Sequence, residues 1–216
     1  GPTGSGKSTT LYSCLTNLNT PEVNIMTLED PVESQIDGLN QSQMFPDIGY
    51  NFAFGLRTAL RQDPDIIMVW EIRDHETINV AIEAALTGHL VVSTIHTNSA
   101  AETLTRILNM GIPAFLLPAS INVIIAQRLI RKLCQHCKKP VPMMQLEPRL
   151  KNSVEKALKR TAKDELLARI PTEILQNPIF YEAVGCVECD NIWYKGRVGI
   201  YEILEITPNV KKMILD

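Results

Sequence analysis

The opening stretch GPTGSGKSTT constrains the fold of this chain more than any other. From Gly1 to Ser8 it satisfies the pattern G-x-x-x-x-G-K-[ST]. In such a loop the glycines let successive main-chain N–H groups turn inward onto phosphate oxygens. The lysine adds positive charge for the β- and γ-phosphates, and the serine hydroxyl can ligate Mg²⁺. Gly1, Pro2, Thr3, Gly4, Ser5, Gly6, Lys7, Ser8 and Thr9 are the expected nucleotide-binding residues. Leu11, Cys14, Leu15 and Leu18 then recur at helical spacing, so the loop is expected to feed a helix N-terminus, with Cys14 in the packed stripe.

Downstream, apolar strands alternate with amphipathic helices. VNIMTLEDPVE reads as a strand over 23–28 that ends in Glu29 and Asp30 and is stopped by Pro31. Carboxylates at a strand's carboxyl end face the crevice where α/β proteins bind ligands; a solvated turn is the plain alternative. FAFGLRTALRQDPD is a helical pattern with Phe52, Leu56, Ala59 and Leu60 inward. Arg57 and Arg61, four apart, share a face that either clamps a phosphate, in cis or across a subunit boundary, or is simply solvated. IIMV is apolar throughout, as a central parallel strand must be, and Glu71 follows close behind it. In phosphate-loop enzymes an acid here orients Mg²⁺ or polarises the attacking water. Asp74 is placed to cap a helix with Ile78, Ala81, Ile82, Ala85 and Leu86 inward and Gly88 past its end. HLVVSTIHT then puts His96 near the end of another strand, as a sensor of the γ-phosphate or as a structural residue. This alternation predicts an α/β fold, a RecA-like phosphate-loop ATPase core with a parallel sheet.

The rest of the composition narrows the class. The chain has 216 residues, 45% apolar and 21% charged, with a net charge of −3. That balance is ordinary for a globular protein and does not advertise direct nucleic-acid binding. The most apolar run, IPAFLLPASINVIIA, is interrupted by Pro113, Pro118 and Asn122, so no membrane span is expected and a cytoplasmic location follows. Because the chain begins inside the phosphate loop and stops in an amphipathic pattern, it reads as a fragment whose first strand lies upstream.

Four of the five cysteines form two C-x-x-C knuckles, Cys134/Cys137 and Cys186/Cys189. Two knuckles supply four thiolates to one tetrahedral ion, the pattern of a closed structural zinc site; redox chemistry and plain packing are the lesser alternatives, and disulfides are out of place in a cytosolic protein. The spacer, residues 138–185, is long for a zinc ribbon. The charged, helix-prone LKNSVEKALKRTAKDELLARI inside it is expected to close upon itself. His136 is a reserve ligand at most. Basic residues gather at Arg128, Arg131, Lys132, Lys138 and Lys139, and again at Lys156, Lys159, Arg160 and Lys163. With few aromatics among them they read as a solvated face or a dock for an acidic partner.

These motifs, in this order, resemble the secretion ATPases that drive type II secretion and type IV pilus assembly. GPTGSGKSTT resembles their phosphate loop, TLEDPVE their aspartate box, and RTALRQDPDIIMVWEIRD their arginine helix and metal-site strand. TGHLVVSTIHTNSA is similar to their histidine box, and AQRLIRKLCQHC with GCVECDNIWYKGRVGIYE to the approach and exit of their tetracysteine module. The resemblance runs essentially end to end. It implies a homohexameric ATP-driven motor with a further N-terminal domain. Lys7 and Ser8 would hold phosphate and Mg²⁺, Glu71 would serve the metal, and Glu29 or Glu71 would activate water. Arg57 and Arg61 would reach a neighbouring subunit's nucleotide, and His96 would report its state. The motor would work on the cytoplasmic face of the inner membrane, peripheral to it through a platform protein that adds pilin subunits. The domains expected are 1–130 for the ATPase, 131–193 for the Zn²⁺ module and 194–216 for the start of a C-terminal helical region. Retraction ATPases of the superfamily lack the four cysteines, which favours assembly or secretion.

Two departures stand out. Trp70 and Trp193, the only tryptophans, fall where the family carries glycine. Glycine beside bound phosphate allows close approach, and glycine after a knuckle suggests a backbone that bulky residues resist. One cause for both is a UGA codon, read as glycine in some bacterial lineages and as tryptophan under another code. A genuine tryptophan at position 70 would weaken hydrolysis and leave a ring subunit that only binds nucleotide. An engineered pair is a third reading.

Overall fold

The computed structural model describes residues 1–161 and 178–215. Residues 162–177, which include Lys163 and most of the second half of the predicted helical spacer, lie outside the described residues. The chain divides into two units, Gly1–Leu129 with the stretch from Gly199 onward, and Ile130–Val198.

In the first unit the loop leads into α1 (Lys7–Leu18), followed by β1 (Ile25–Glu29), β2 (Asn40–Gln43), α2 (Phe52–Ala59), β3 (Ile66–Val69), α3 (His75–Leu86), β4 (Leu90–Ser93), α4 (Ala100–Asn109) and the short α5 (Leu117–Ser120). The strands form one sheet in the order β2-β1-β3-β4, each pair parallel. This is an α/β fold on a parallel sheet, with β3 central as its unbroken apolar run predicts. Successive side chains of a strand face opposite ways. Ile67 and Val69 accordingly join Leu28, Leu56 and Ile78 in one core cluster, while Ile66 and Met68 join Leu15 and Ile25 in another. The helices α2 and α3 thus cover one face and α1 the other.

Local chemistry sets the ends of these elements. Asp74 caps α3 by accepting from the Thr77 N–H at 2.8 Å, and Gly88, at φ +101°, turns the chain after it. Along α3, Ile78, Ala81 and Ile82 are buried as expected, but Leu86 is 44% exposed at the helix end. Cys14 departs from its predicted place in the core and is exposed. It lies about 100° around α1 from Leu15, the residue that the sheet covers completely. The polar β2, Asn-Gln-Ser-Gln, carries no apolar signal and exists because β1 gives it a parallel partner.

The chain passes into the second unit along β5 (Val123–Leu133), and β6 (Lys138–Val141) and α6 (Pro148–Thr161) follow. It then reaches β7 (Phe180–Ala183) and leaves along β8 (Tyr194–Glu205). The strand β6 pairs antiparallel with β7, and β5 pairs with β8. This unit's buried cluster is made of cysteine, namely Cys134, Cys137 and Cys189 with Cys186 packed against them. In the first unit α7 (Pro208–Leu215) closes the described chain, with Ile214 packed on the main core. Among the described residues no helix is long and apolar enough to cross a membrane.

Candidate nucleotide site and cysteine cluster

The predicted loop conformation depends on its glycines. Gly4 and Gly6 have φ of +74° and +87°, values that side-chain-bearing residues rarely adopt. A Cβ on Gly6 would also lie 2.8 Å from Gln127 Nε2. Gln127 is itself buried on β5, and its Oε1 accepts from Thr10 Oγ1 at 2.8 Å, which ties the first turn of α1 to that strand. Lys7 Nζ donates to the carbonyls of Gly1 and Pro2 at 3.0 and 3.1 Å, drawing the loop around its own ammonium. Burial lowers the Lys7 pKa, and the nearby Glu71 charge opposes that shift. Ser5 Oγ is buried with no hydrogen-bond partner among the described residues.

The strands β1 and β3 are parallel neighbours, so Glu29 and Glu71 both fall at their carboxyl ends. Glu71, two residues beyond β3, is held by Arg73 at both oxygens, with Nε 2.9 Å from Oε1 and Nη2 3.0 Å from Oε2. His96 Nε2 lies 3.1 Å from the same Oε1. Burial pushes the Glu71 carboxyl up. The Arg73 hydrogen bond and the charges of His96, Arg73 and Lys7 outweigh it, so the pKa is lowered.

Glu29 occupies a different environment. It is 1% exposed and accepts from three donors: the Tyr12 hydroxyl, Thr27 Oγ1 at 2.5 Å and Gln41 Nε2 at 2.9 Å. Sequence reasoning left Glu33 without a role, yet its Oε1 accepts from Ser8 Oγ at 3.3 Å. The second glutamate of TLEDPVE was the available signal, but only the fold reveals which glutamate reaches the loop. A hydroxyl 3.3 Å from an exposed carboxylate supplies two of the hard oxygen donors that Mg²⁺ takes, whereas both Glu71 oxygens are engaged by Arg73.

Arg57 Nη2 pairs with Glu76 Oε1 at 2.9 Å, both side chains being more than half exposed. Arg61 lies in a 3₁₀ turn beyond α2 and is exposed, so the two arginines do not share one continuous α-helix.

Position 70 is gentler than its sequence context suggests. The Trp70 N–H donates to Leu28 O at 2.8 Å, and its carbonyl accepts from Thr94 Oγ1 at 2.8 Å. The half-buried indole packs with the cluster of Leu15, Ile25, Ile66 and Met68, the face that alternation along β3 assigns to it. Trp193 differs. Its φ is +68°, a left-handed conformation that costs about 1–2 kcal/mol for a residue with a Cβ. Its carbonyl accepts from the Cys134 N–H at 3.0 Å, so this strained residue braces the first knuckle.

The four knuckle sulfurs lie within 4.8 Å of one another. The Cys134–Cys186, Cys137–Cys189 and Cys186–Cys189 Sγ separations are each 3.8 Å. Four thiolates about 2.3 Å from one tetrahedral centre stand about 3.8 Å apart, so the set fits Zn²⁺. It is far too wide for disulfides. His136 is exposed and is not one of the clustered ligands. Two of the basic residues in this unit stack on aromatic rings, Arg131 over Tyr194 at 4.0 Å and Lys138 over Tyr181 at 4.5 Å.

A family profile described as "Type II/IV secretion system protein" matches residues 1–216. The chain belongs to this type II/IV secretion system protein family. Within the family it is 50% identical over its full length to the Type IV pilus assembly ATPase PilB of Myxococcus xanthus, covering 35% of that protein. It is 45% identical over 99% of its length to the Type II secretion system ATPase E of Vibrio cholerae, covering 39% of it. This member of the family thus spans about a third of the length of the curated relatives it matches. Among solved structures, its fold superposes on the pilus retraction motor PilT with bound ADP at a TM-score of 0.65. That match has 30% identity and covers 99% of this chain and 48% of that one.

Proposed function

We propose that this chain is the nucleotide-hydrolysing part of an ATP-driven motor for type IV pilus assembly or type II secretion. The observation that carries the reading is the convergence at one sheet edge. Lys7 and Glu71 feel each other's charge, and the hydroxyl of Ser8 meets the carboxylate of Glu33. In this reading Lys7 would supply the cation for phosphate, and Ser8 with the acids after the parallel strands the oxygen donors for Mg²⁺, at the carboxyl ends where α/β proteins bind ligands. The names of relatives with 45–50% identity point to the same chemistry.

In this reading residues 1–130 form a RecA-like phosphate-loop core, with Gly1 to Thr9 wrapping the phosphates of ATP. Mg²⁺ held by Ser8 and Glu71 would neutralise charge that builds on the phosphates. Glu33 and Glu71 are the acids open to orient water; Glu29, the other candidate from the sequence, is 1% exposed and held by three donors. His96 reads the state of the site through Glu71, 3.1 Å away. Arg57 and Arg61 sit on an exposed surface from which they act on a neighbouring subunit's nucleotide, as a homohexamer requires. Residues 131–193 form a structural Zn²⁺ module held by Cys134, Cys137, Cys186 and Cys189, and residues 194–216 begin the C-terminal region. The motor works at the cytoplasmic face of the inner membrane, attached through a platform protein.

Phosphate release from ATP by the full protein, with Lys7→Ala as control, tests this. Mg²⁺-dependent turnover that is lost in the variant is the expected result, and a wild-type protein that binds ATP without turnover overturns it. That second result would favour a binding-only ring subunit, the outcome to which Trp70 would lead if it obstructs the metal.

A further inference from the structure

We propose that Tyr12 is a positioning residue for hydrolysis: its phenol fastens the Glu29–Glu33 segment to α1 and thereby sets the Glu33 carboxylate against Ser8. The inference rests on the ATPase reading above.

The phenol acts in both directions. It donates to Glu29 Oε2 and accepts from the main-chain N–H of Glu33 at 3.3 Å. Tyr12 and Ser8 belong to the same helix, four residues apart, so they present to one side of α1. From Ser8 the contact runs to the Glu33 carboxylate, from the Glu33 N–H to Tyr12, and from Tyr12 to Glu29. This closed circuit fixes the distance between the helix that carries the phosphate loop and the acid that faces it. Outside the circuit, Gln41 Nε2 donates both to Glu29 Oε1 and to Ser34 O at 2.9 Å, holding the same segment from β2.

Glu29 is the anchor of this arrangement. At 1% exposure, and with three donors on its two oxygens, its carboxylate is shut off from bulk solvent. Glu33 is exposed and meets the loop directly. The Tyr12 phenol is pushed up to about 12 by burial and by its hydrogen bond to Glu29, so it remains a donor throughout the physiological range.

The test is Tyr12→Phe in the full protein. Phenylalanine keeps the ring that packs beside Leu15 and removes only the hydroxyl. Loss of a hydrogen bond to a charged group should lower kcat about tenfold, with KM for ATP changed less than about twofold. Amide hydrogen exchange over residues 29–34 should speed about tenfold while other segments keep their rates. In a Glu33→Gln background the same substitution should cost no further turnover, because Tyr12 acts through Glu33; a merely structural role would add its full cost again. Unchanged exchange over 29–34, or full additivity with Glu33→Gln, overturns the proposal. If the wild-type protein releases no phosphate, the ATPase reading fails, and the exchange comparison still decides whether Tyr12 holds the segment.

Discussion

Arg73 holds Glu71 by both oxygens, at 2.9 and 3.0 Å, across a single intervening residue. The arginine side chain is 67% exposed and its partner 11%, so the pair forms a polar lid on a nearly buried acid. Any ion that takes Glu71 as a ligand competes with a guanidinium for the same atoms.

Removing that competitor should make the metal easier to bind. Arg73→Ala is expected to lower the Mg²⁺ concentration for half-maximal phosphate release by about three- to fivefold, the scale of a partly exposed ion pair. Titrating Mg²⁺ against turnover for both proteins checks this, and an unchanged midpoint would mean that Arg73 does not contest the site.

The same pair sets a pH dependence. Burial works to raise the Glu71 carboxyl, but the Arg73 hydrogen bond, His96 and Lys7 bring it below the ordinary carboxylate value. A carboxyl depressed in the folded state contributes stability above its unfolded pKa and loses it as pH falls through the folded one. Glu71→Gln should therefore flatten the acid limb of a plot of Tm against pH below about pH 5, with little change in its slope near pH 7. Thermal unfolding of both proteins across that range decides it.

For the cysteine cluster the expected stoichiometry is one zinc per chain, measured by elemental analysis of the purified protein. Cys134→Ser should abolish retention and lower the stability of the Ile130–Val198 unit, since its buried cluster is the cysteines themselves. Full zinc retention in that variant would contradict a four-thiolate site.

The two tryptophans should answer oppositely to glycine. At Trp193 glycine relieves the left-handed strain at φ +68°, so Trp193→Gly should raise stability by about 1 kcal/mol, or about 2–4 °C in Tm. At Trp70 it removes an indole packed on four core residues, so Trp70→Gly should cost about 2 kcal/mol. Calorimetry of the two variants checks both signs. The coding DNA adds a separate test, since TGG at either position excludes a reassigned UGA there.

Much of this was readable in the sequence because the signals were local. IIMV could only be a strand covered on both sides, Asp74 was placed to cap a helix, and the glycines of the loop matched a backbone that needs them. What escaped depends on neighbours distant along the chain. No pattern in Asn-Gln-Ser-Gln marks a strand, since its place comes from the free edge of β1. Cys14 fits a helical stripe as well as Leu15 does, and only the width of the contact with the sheet separates them. Of the glutamates in TLEDPVE, the sequence could not assign one to the interior and another to the loop. That division follows from Tyr12, on a different element.

The backbone of residue 70 is fully committed, its N–H to Leu28 on one neighbouring strand and its carbonyl to the hydroxyl of Thr94 beyond the other. Glu71 is therefore aimed by peptide groups, which every amino acid possesses, and not by the identity of the residue before it. Whatever genetic code wrote position 70, the direction of the acid is inherited from the pleat of the sheet; the side chain there alters only the room left in front of it.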